Sequence, residues 1–140
     1  KVLWPWILTL KIHKGSKKMG FDLIGIKAKS EKGEYFRNNV WYWRPLWSYI
    51  CNECDDILTI KEAEGGSYND GLKITKSKAE KIAKRIQERI DDGSVDLHKA
   101  GYDATVEQVE DEWAKSYPFE IKNVIDFIEF CKESGGFKIY

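Results

Sequence analysis

The sequence holds one methionine and three cysteines, and its formal net charge is zero. Zero net charge removes the usual electrostatic case for a nucleic-acid or membrane partner. An odd number of cysteines cannot complete a disulfide framework and fits a reducing cytoplasm, which is where we expect the protein to act. No run approaches the roughly 20 apolar residues that a spanning helix requires. The longest, Val2 to Leu10, is interrupted by Pro5, preceded only by Lys1 and followed by no small-residue cleavage site, so it reads neither as a span nor as an export signal. Repeats and low-complexity tracts are missing. So is any Gly-rich phosphate loop, and His98 has no Ser or Cys nucleophile motif beside it. A nucleophile, base and oxyanion set cannot be assembled from motifs, and we read the chain as non-enzymatic.

What is present suits one domain: 140 residues, 42% hydrophobic and 33% charged, with no room for a second core of ordinary size. Zero charge hides an asymmetry. Residues 1–47 carry ten Lys/Arg against three Asp/Glu, and residues 48–140 carry thirteen against twenty. Part of it has a separate origin. Lys14-Gly15 must be encoded by a purine-rich AARGG tract ending three codons before Met19, the layout of a bacterial ribosome-binding site ahead of a start codon. We therefore expect residues 1–18 to be translated upstream sequence, with the natural protein beginning at Met19. Residues 19–140 then form a single, mildly acidic domain with eighteen Lys/Arg against twenty-three Asp/Glu.

Along that region, FDLIGIKA has the apolar, branched character of a strand, with Gly25 marking a bulge or close approach. SEKGE is a turn. Val40, Trp43, Trp47, Ile50 and Cys54 recur at i, i+3, i+7, i+10 and i+14, one stripe of a helix. Pro45 predicts a kink or break at Arg44, with the main helix over about 45–56. EAEGGSYNDG reads as a loop. Ser77 and Glu80 form a capping box for a helix burying Ala79, Ile82, Ala83, Ile86 and Ile90, stopped by Gly93. Residues 94–104 read as irregular, followed by a short helix behind Thr105 carrying Val106, Val109 and Trp113. After Pro118 a last helix turns Ile121, Val124, Ile125, Ile128 and Cys131 inward until Gly135. FKIY closes the chain as a strand. The expected class is α+β: three to four helices packed on a small antiparallel sheet.

The densest chemistry lies in the segment YFRNNVWYWRPLW. Arg37, Trp41, Trp43, Arg44 and Trp47 could stack bases and hold phosphates, or Trp43 and Trp47 could be core residues with the arginines paired to acids. Trp41 lies about 140° from the stripe's centre at about 100° per residue, so it is the aromatic expected to be exposed. Asn38 and Asn39 suit a helix cap or turn. The binding residues expected from this segment are Arg37, Trp41 and Arg44.

MGFDLIG, GEYFRNNVWYWRPLW and NVIDFIEFCKESGGFKI together resemble a family of small proteins encoded by bacteria and their phages, to which no activity attaches. The resemblance covers the two ends of the 19–140 region. It implies a start at Met19 and a phage or mobile-element association. Members of that family often carry a cysteine-rich insert; this chain lacks one, so no zinc role carries across.

Cys51 and Cys54 make a CxxC spacing. Zinc needs four ligands, and Cys131, His98 and His13 could complete a set, although no second paired motif exists. The same spacing arises in any i, i+3 helix pair of buried cysteines, and a redox CxxC belongs at a helix N-terminus rather than near a C-terminus. Glu107, Glu110 and Asp111 could share one helical face and bind a cation, or be solvated. Lys78, Lys81, Arg85 and Arg89 make a basic stripe of the kind a surface helix normally shows. The resulting reading is a non-enzymatic interaction protein whose partner is a host or phage protein. Phosphate binding needs local positive charge that an acidic domain lacks overall, which leaves a single-stranded nucleic-acid binder as the alternative and a metal-stabilised module as the third class.

Overall fold

The computed structural model describes residues 20–140, so the expectation for residues 1–18, and His13 with it, lies outside the described residues. Among them, four strands and five α-helices follow the order β1 (Gly20–Gly25), a 3-10 turn (Glu31–Gly33), β2 (Tyr35–Asn39), α1 (Val40–Glu53), α2 (Ile60–Gly65), β3 (Leu72–Ile74), α3 (Lys76–Asp91), α4 (Ser94–Gln108), a second 3-10 turn (Ala114–Ser116), α5 (Ile121–Glu133) and β4 (Phe137–Ile139). The sheet is antiparallel throughout, in the order β2-β1-β4-β3. The fold is α+β. No helix among the described residues is long and apolar enough to cross a membrane.

Strand alternation divides the sheet into two faces. Phe21, Leu23, Ile74, Phe137 and Ile139 point into the core and are fully buried. Phe21 stacks on Trp43 of α1 with ring centroids 5.6 Å apart, and Phe36 meets Phe127 and Phe130 of α5 at 5.7 and 5.8 Å. Helix α3 packs on α5 and α1 from outside. The opposite face carries Asp22, Ile24, Tyr35, Arg37, Lys73, Lys138 and Tyr140, and no described helix covers it. Gly25 is a close approach: a Cβ there would lie 1.9 Å from the Gly33 carbonyl oxygen.

Several elements differ from the sequence reading. Helix α1 runs unbroken through Pro45. Burial of Trp43, Leu46, Trp47, Tyr49 and Ile50 on both sides of the proline outweighs its ~3 kcal/mol helix penalty. The first half of EAEGGSYNDG is helical, because Thr59 and Glu62 supply a capping box for α2. The cap of α3 is Thr75, two residues before Ser77, and its Oγ1 accepts from the Lys78 N–H at 3.3 Å. Residues 94–104 are helical, and Thr105 lies inside α4 with its Oγ1 donating to the Gly101 carbonyl at 2.9 Å. The inward stripe of α4, Val95, His98, Tyr102 and Val106, is part polar, which is why its periodicity stays faint. In α5 the inward residues are Val124, Phe127, Ile128, Phe130 and Cys131, whereas Ile125 is exposed. Gly93 and Gly135, both at positive φ, end α3 and α5 as expected.

Candidate functional site

The Trp-rich segment is the centre of the fold. Val40, Trp43, Trp47, Ile50 and Cys54 are all buried, so the helical stripe stands. Asn39 caps α1, its Oδ1 accepting from the Tyr42 N–H at 3.1 Å. Asn38 bridges β2 to α5 through two side-chain hydrogen bonds with Asn123, at 3.0 and 2.8 Å.

Two of the three expected binding residues are covered. With α1 unbroken, Arg44 stays on the helix and is 7% exposed, and burial lowers its guanidinium pKa despite Tyr117 and Tyr68 nearby. Trp41 is half-buried. Its ring stacks on Trp113 at 5.7 Å with planes 17° apart and packs on Tyr117 at 4.8 Å, because the chain after α4 folds back over it. The exposed aromatic of α1 is Tyr42 instead. Only Arg37 remains at the surface, and it belongs to the sheet, not to the tryptophan cluster.

The metal candidates among the described residues are buried or half-buried. Cys54 and Cys131 are fully buried and Cys51 half-buried, and burial pushes the Cys51 and Cys54 thiols up to about 12 and that of Cys131 upward too. His98 packs against Tyr49 at 4.4 Å and Phe119 at 4.6 Å, where burial lowers its pKa. Among the described residues no three His, Cys, Asp or Glu side chains are grouped as metal ligands. Glu110 and Asp111 lie beyond the end of α4, so the shared face proposed for them with Glu107 does not form. The basic stripe of α3 is largely neutralised: Lys78 pairs with Glu62 at 2.6 Å, Arg89 with Glu53 at 2.7 Å, and Arg85 holds both carboxylate oxygens of Asp56 at 2.8 Å.

The open face of the sheet has a different character. Strand register sets its side chains in two rows, one across all four strands and one across β2, β1 and the end of β4. In the first, Tyr35, Ile24, Lys138 and Lys73 stand opposite one another in sequence from β2 to β3. In the second, Arg37 faces Asp22, and Asp22 exchanges two backbone hydrogen bonds of 2.8 Å with Tyr140, whose ring lies beside Gly71. Arg37 Nη1 donates to Asp22 Oδ1 at 2.7 Å, and the Tyr35 hydroxyl donates to the same oxygen. These two bonds, Tyr35's first, hold the Asp22 carboxyl below the usual range. Gly20 leaves room for the guanidinium on the sheet, since a Cβ there would sit 2.2 Å from Arg37 Nη2. Tyr35 and Tyr140 are 52% and 45% exposed. Exposed apolar and aromatic surface of this kind, edged by fixed charge, is of the type that marks interaction sites.

Of these residues the sequence reading singled out Arg37 alone. Tyr35, Lys73, Lys138 and Tyr140 sit on strands whose alternate residues are the core, and that period-2 pattern in LKI and FKIY was the available signal. Comparison with known proteins finds no matching family model, no matching curated protein and no matching solved structure.

Proposed function

We propose that this chain is a non-enzymatic interaction protein that engages its partner through the open face of the sheet, in the phage or mobile-element setting that the signature suggests. The observation that carries this reading is the two-row array of Tyr35, Ile24, Lys138 and Lys73 over Arg37, Asp22 and Tyr140. It joins exposed aromatic rings to positioned charge on a rigid scaffold, the residue classes from which binding hot spots are drawn. The nucleophilic candidates support it from the other side. The Cys51 and Cys54 thiols are held up to about 12 by burial and His98 is packed among rings, so none is set up for nucleophilic or base chemistry.

Site-specific photo-crosslinking tests this. A photoreactive residue in place of Lys138 should give a discrete adduct in host lysate, while one in place of Leu97, exposed on α4, should not. Equal labelling from both positions, or none from Lys138, overturns the reading.

A further inference from the structure

We infer that the open face of the sheet binds single-stranded nucleic acid, with Tyr35 and Tyr140 stacking bases and Lys73, Lys138 and Arg37 holding phosphates; this rests on the reading of that face as the interaction surface. The decisive relationship is the cross-strand pair Lys73↔Lys138. Like charges directly opposite on neighbouring strands destabilise a sheet. No carboxylate among the described residues forms an ion pair with either lysine, and the strand register sets these two unpaired lysines directly opposite each other. Lysine on an edge strand discourages stray pairing, which could account for Lys73 on β3, but Lys138 lies on β4 inside the sheet. An anion seated between them removes the repulsion.

The neighbours of that pair specify which anion. Tyr35 lies in the same row as the two lysines and Tyr140 in the next. With strands about 4.8 Å apart the first row spans roughly 14 Å, enough to spread several nucleotides over the face. Tyr35 is oriented by its hydroxyl bond to Asp22, and Tyr140 by backbone bonds on β1 and its contact beside Gly71. Each is a pre-positioned π-surface, and stacking on such rings is available to any base. An acidic peptide would satisfy the lysines but leave both rings without a matching group. A duplex would hide its stacked base faces from them. Charge also confines the strand to this face. Arg37, Lys73 and Lys138 meet one carboxylate there, whereas the rest of residues 20–140 carry fifteen Lys/Arg against twenty-two Asp/Glu.

Fluorescence anisotropy with the full chain tests the proposal, using labelled oligothymidylate and oligouridylate of about twelve nucleotides, with an unlabelled duplex as competitor. The expected result is single-strand binding that the duplex does not compete away. Tyr35→Ala and Tyr140→Ala should each weaken it at least about fivefold, and Tyr140→Phe should retain it. Lys73→Gln with Lys138→Gln should flatten the dependence of log K on log salt by roughly 1.4. Leu97→Ala should change nothing. The lysine variants alter exposed side chains only, so they decide the question even if a tyrosine variant fails to fold. Absence of single-strand binding at low salt, full affinity in the lysine double variant, or equal affinity for the duplex overturns the inference. A Lys138 crosslink that reaches only protein overturns it while leaving the face as the interaction surface; no crosslink from Lys138 removes both.

Discussion

The indole of Trp43 lies flat against that of Trp47, ring centroids 5.3 Å apart and planes 14° apart, and each Nε1 donates to a carbonyl at the end of α2: Gly66 for Trp43 at 2.8 Å, Ala63 for Trp47 at 2.9 Å. The pair fastens α1 to the α2 segment by packing and by two hydrogen bonds together. Trp47→Ala removes a 3% exposed indole and leaves the Ala63 carbonyl without that donor, so it should cost about 3–5 kcal/mol in urea unfolding. A loss under about 1 kcal/mol would place Trp47 energetically among surface residues.

Trp41 and Trp113 should prove coupled. Their stack joins α1 to the irregular stretch after α4, so each alanine variant loses the same contact. A double-mutant cycle on thermal or urea unfolding should return a coupling of about 0.5–1.5 kcal/mol, the range for aromatic pairs beyond area burial. Additive single effects would mean that the ring contact is incidental. Trp41→Ala with Arg44→Ala should destabilise the fold outright, since both side chains are built into it.

How far the sequence could be read depended on whether a local signal agreed with the tertiary outcome. The α1 stripe, the close approach at Gly25 and the stops at Gly93 and Gly135 are local and sterically strict, and they hold. Pro45 misleads because its penalty is local while the burial that overrides it comes from β1, α2 and α5. Helix α4 is faint because His98 occupies a core-facing position. Trp41 reads as a surface residue because the chain that covers it, Trp113 to Tyr117, is distant in sequence, and Arg44 because Pro45 reads as a break in a helix that in fact continues. The open face was hardest to see. Its rows exist only once four short strands spread from residue 20 to residue 140 are placed in register, and no single strand shows more than two of its residues.

Stability should fall as pH drops through the histidine range. Burial lowers the folded pKa of His98 below its ordinary 6.5, against a weaker opposing pull from Glu53. The unfolded chain therefore binds the proton more readily. His98's contribution is complete above about pH 6.5 and is lost as pH falls toward the folded value. His98→Phe keeps a ring between Tyr49 and Phe119 and should flatten the melting temperature between about pH 5 and 7. Asp22, Asp56, Glu62 and Asp92 are all lowered from ordinary values of 3.8 or 4.5, so their losses fall at more acid pH. An unchanged pH profile in His98→Phe would assign the midrange dependence to another group.

The three thiols should be inert in the native state and should not depend on metal. A reactive cysteine needs thiolate at ambient pH, and with Cys51 and Cys54 pushed up to about 12 and Cys131 raised by complete burial, almost none is present near neutrality. Cys51 is the most accessible, its Sγ lying 4.0 Å from the Ala63 carbonyl in a cleft of about 230 Å³ lined also by Trp47 and Asn52. Ellman's reagent should therefore read Cys51 slowly, and Cys54 and Cys131 only at the rate of unfolding, with three thiols appearing at once in denaturant. A chelator should leave the melting temperature where it was, because His98 packs against Tyr49 and Phe119 and completes no ligand set with the cysteines. Had Cys51 and Cys54 held zinc, chelation would lower the melting temperature and expose both thiols together, since structural zinc sites contribute directly to folding. Fast labelling of Cys54 in the untreated protein would show instead that the end of α1 opens readily, and that the Arg85–Asp56 and Arg89–Glu53 pairs do not hold it against α3.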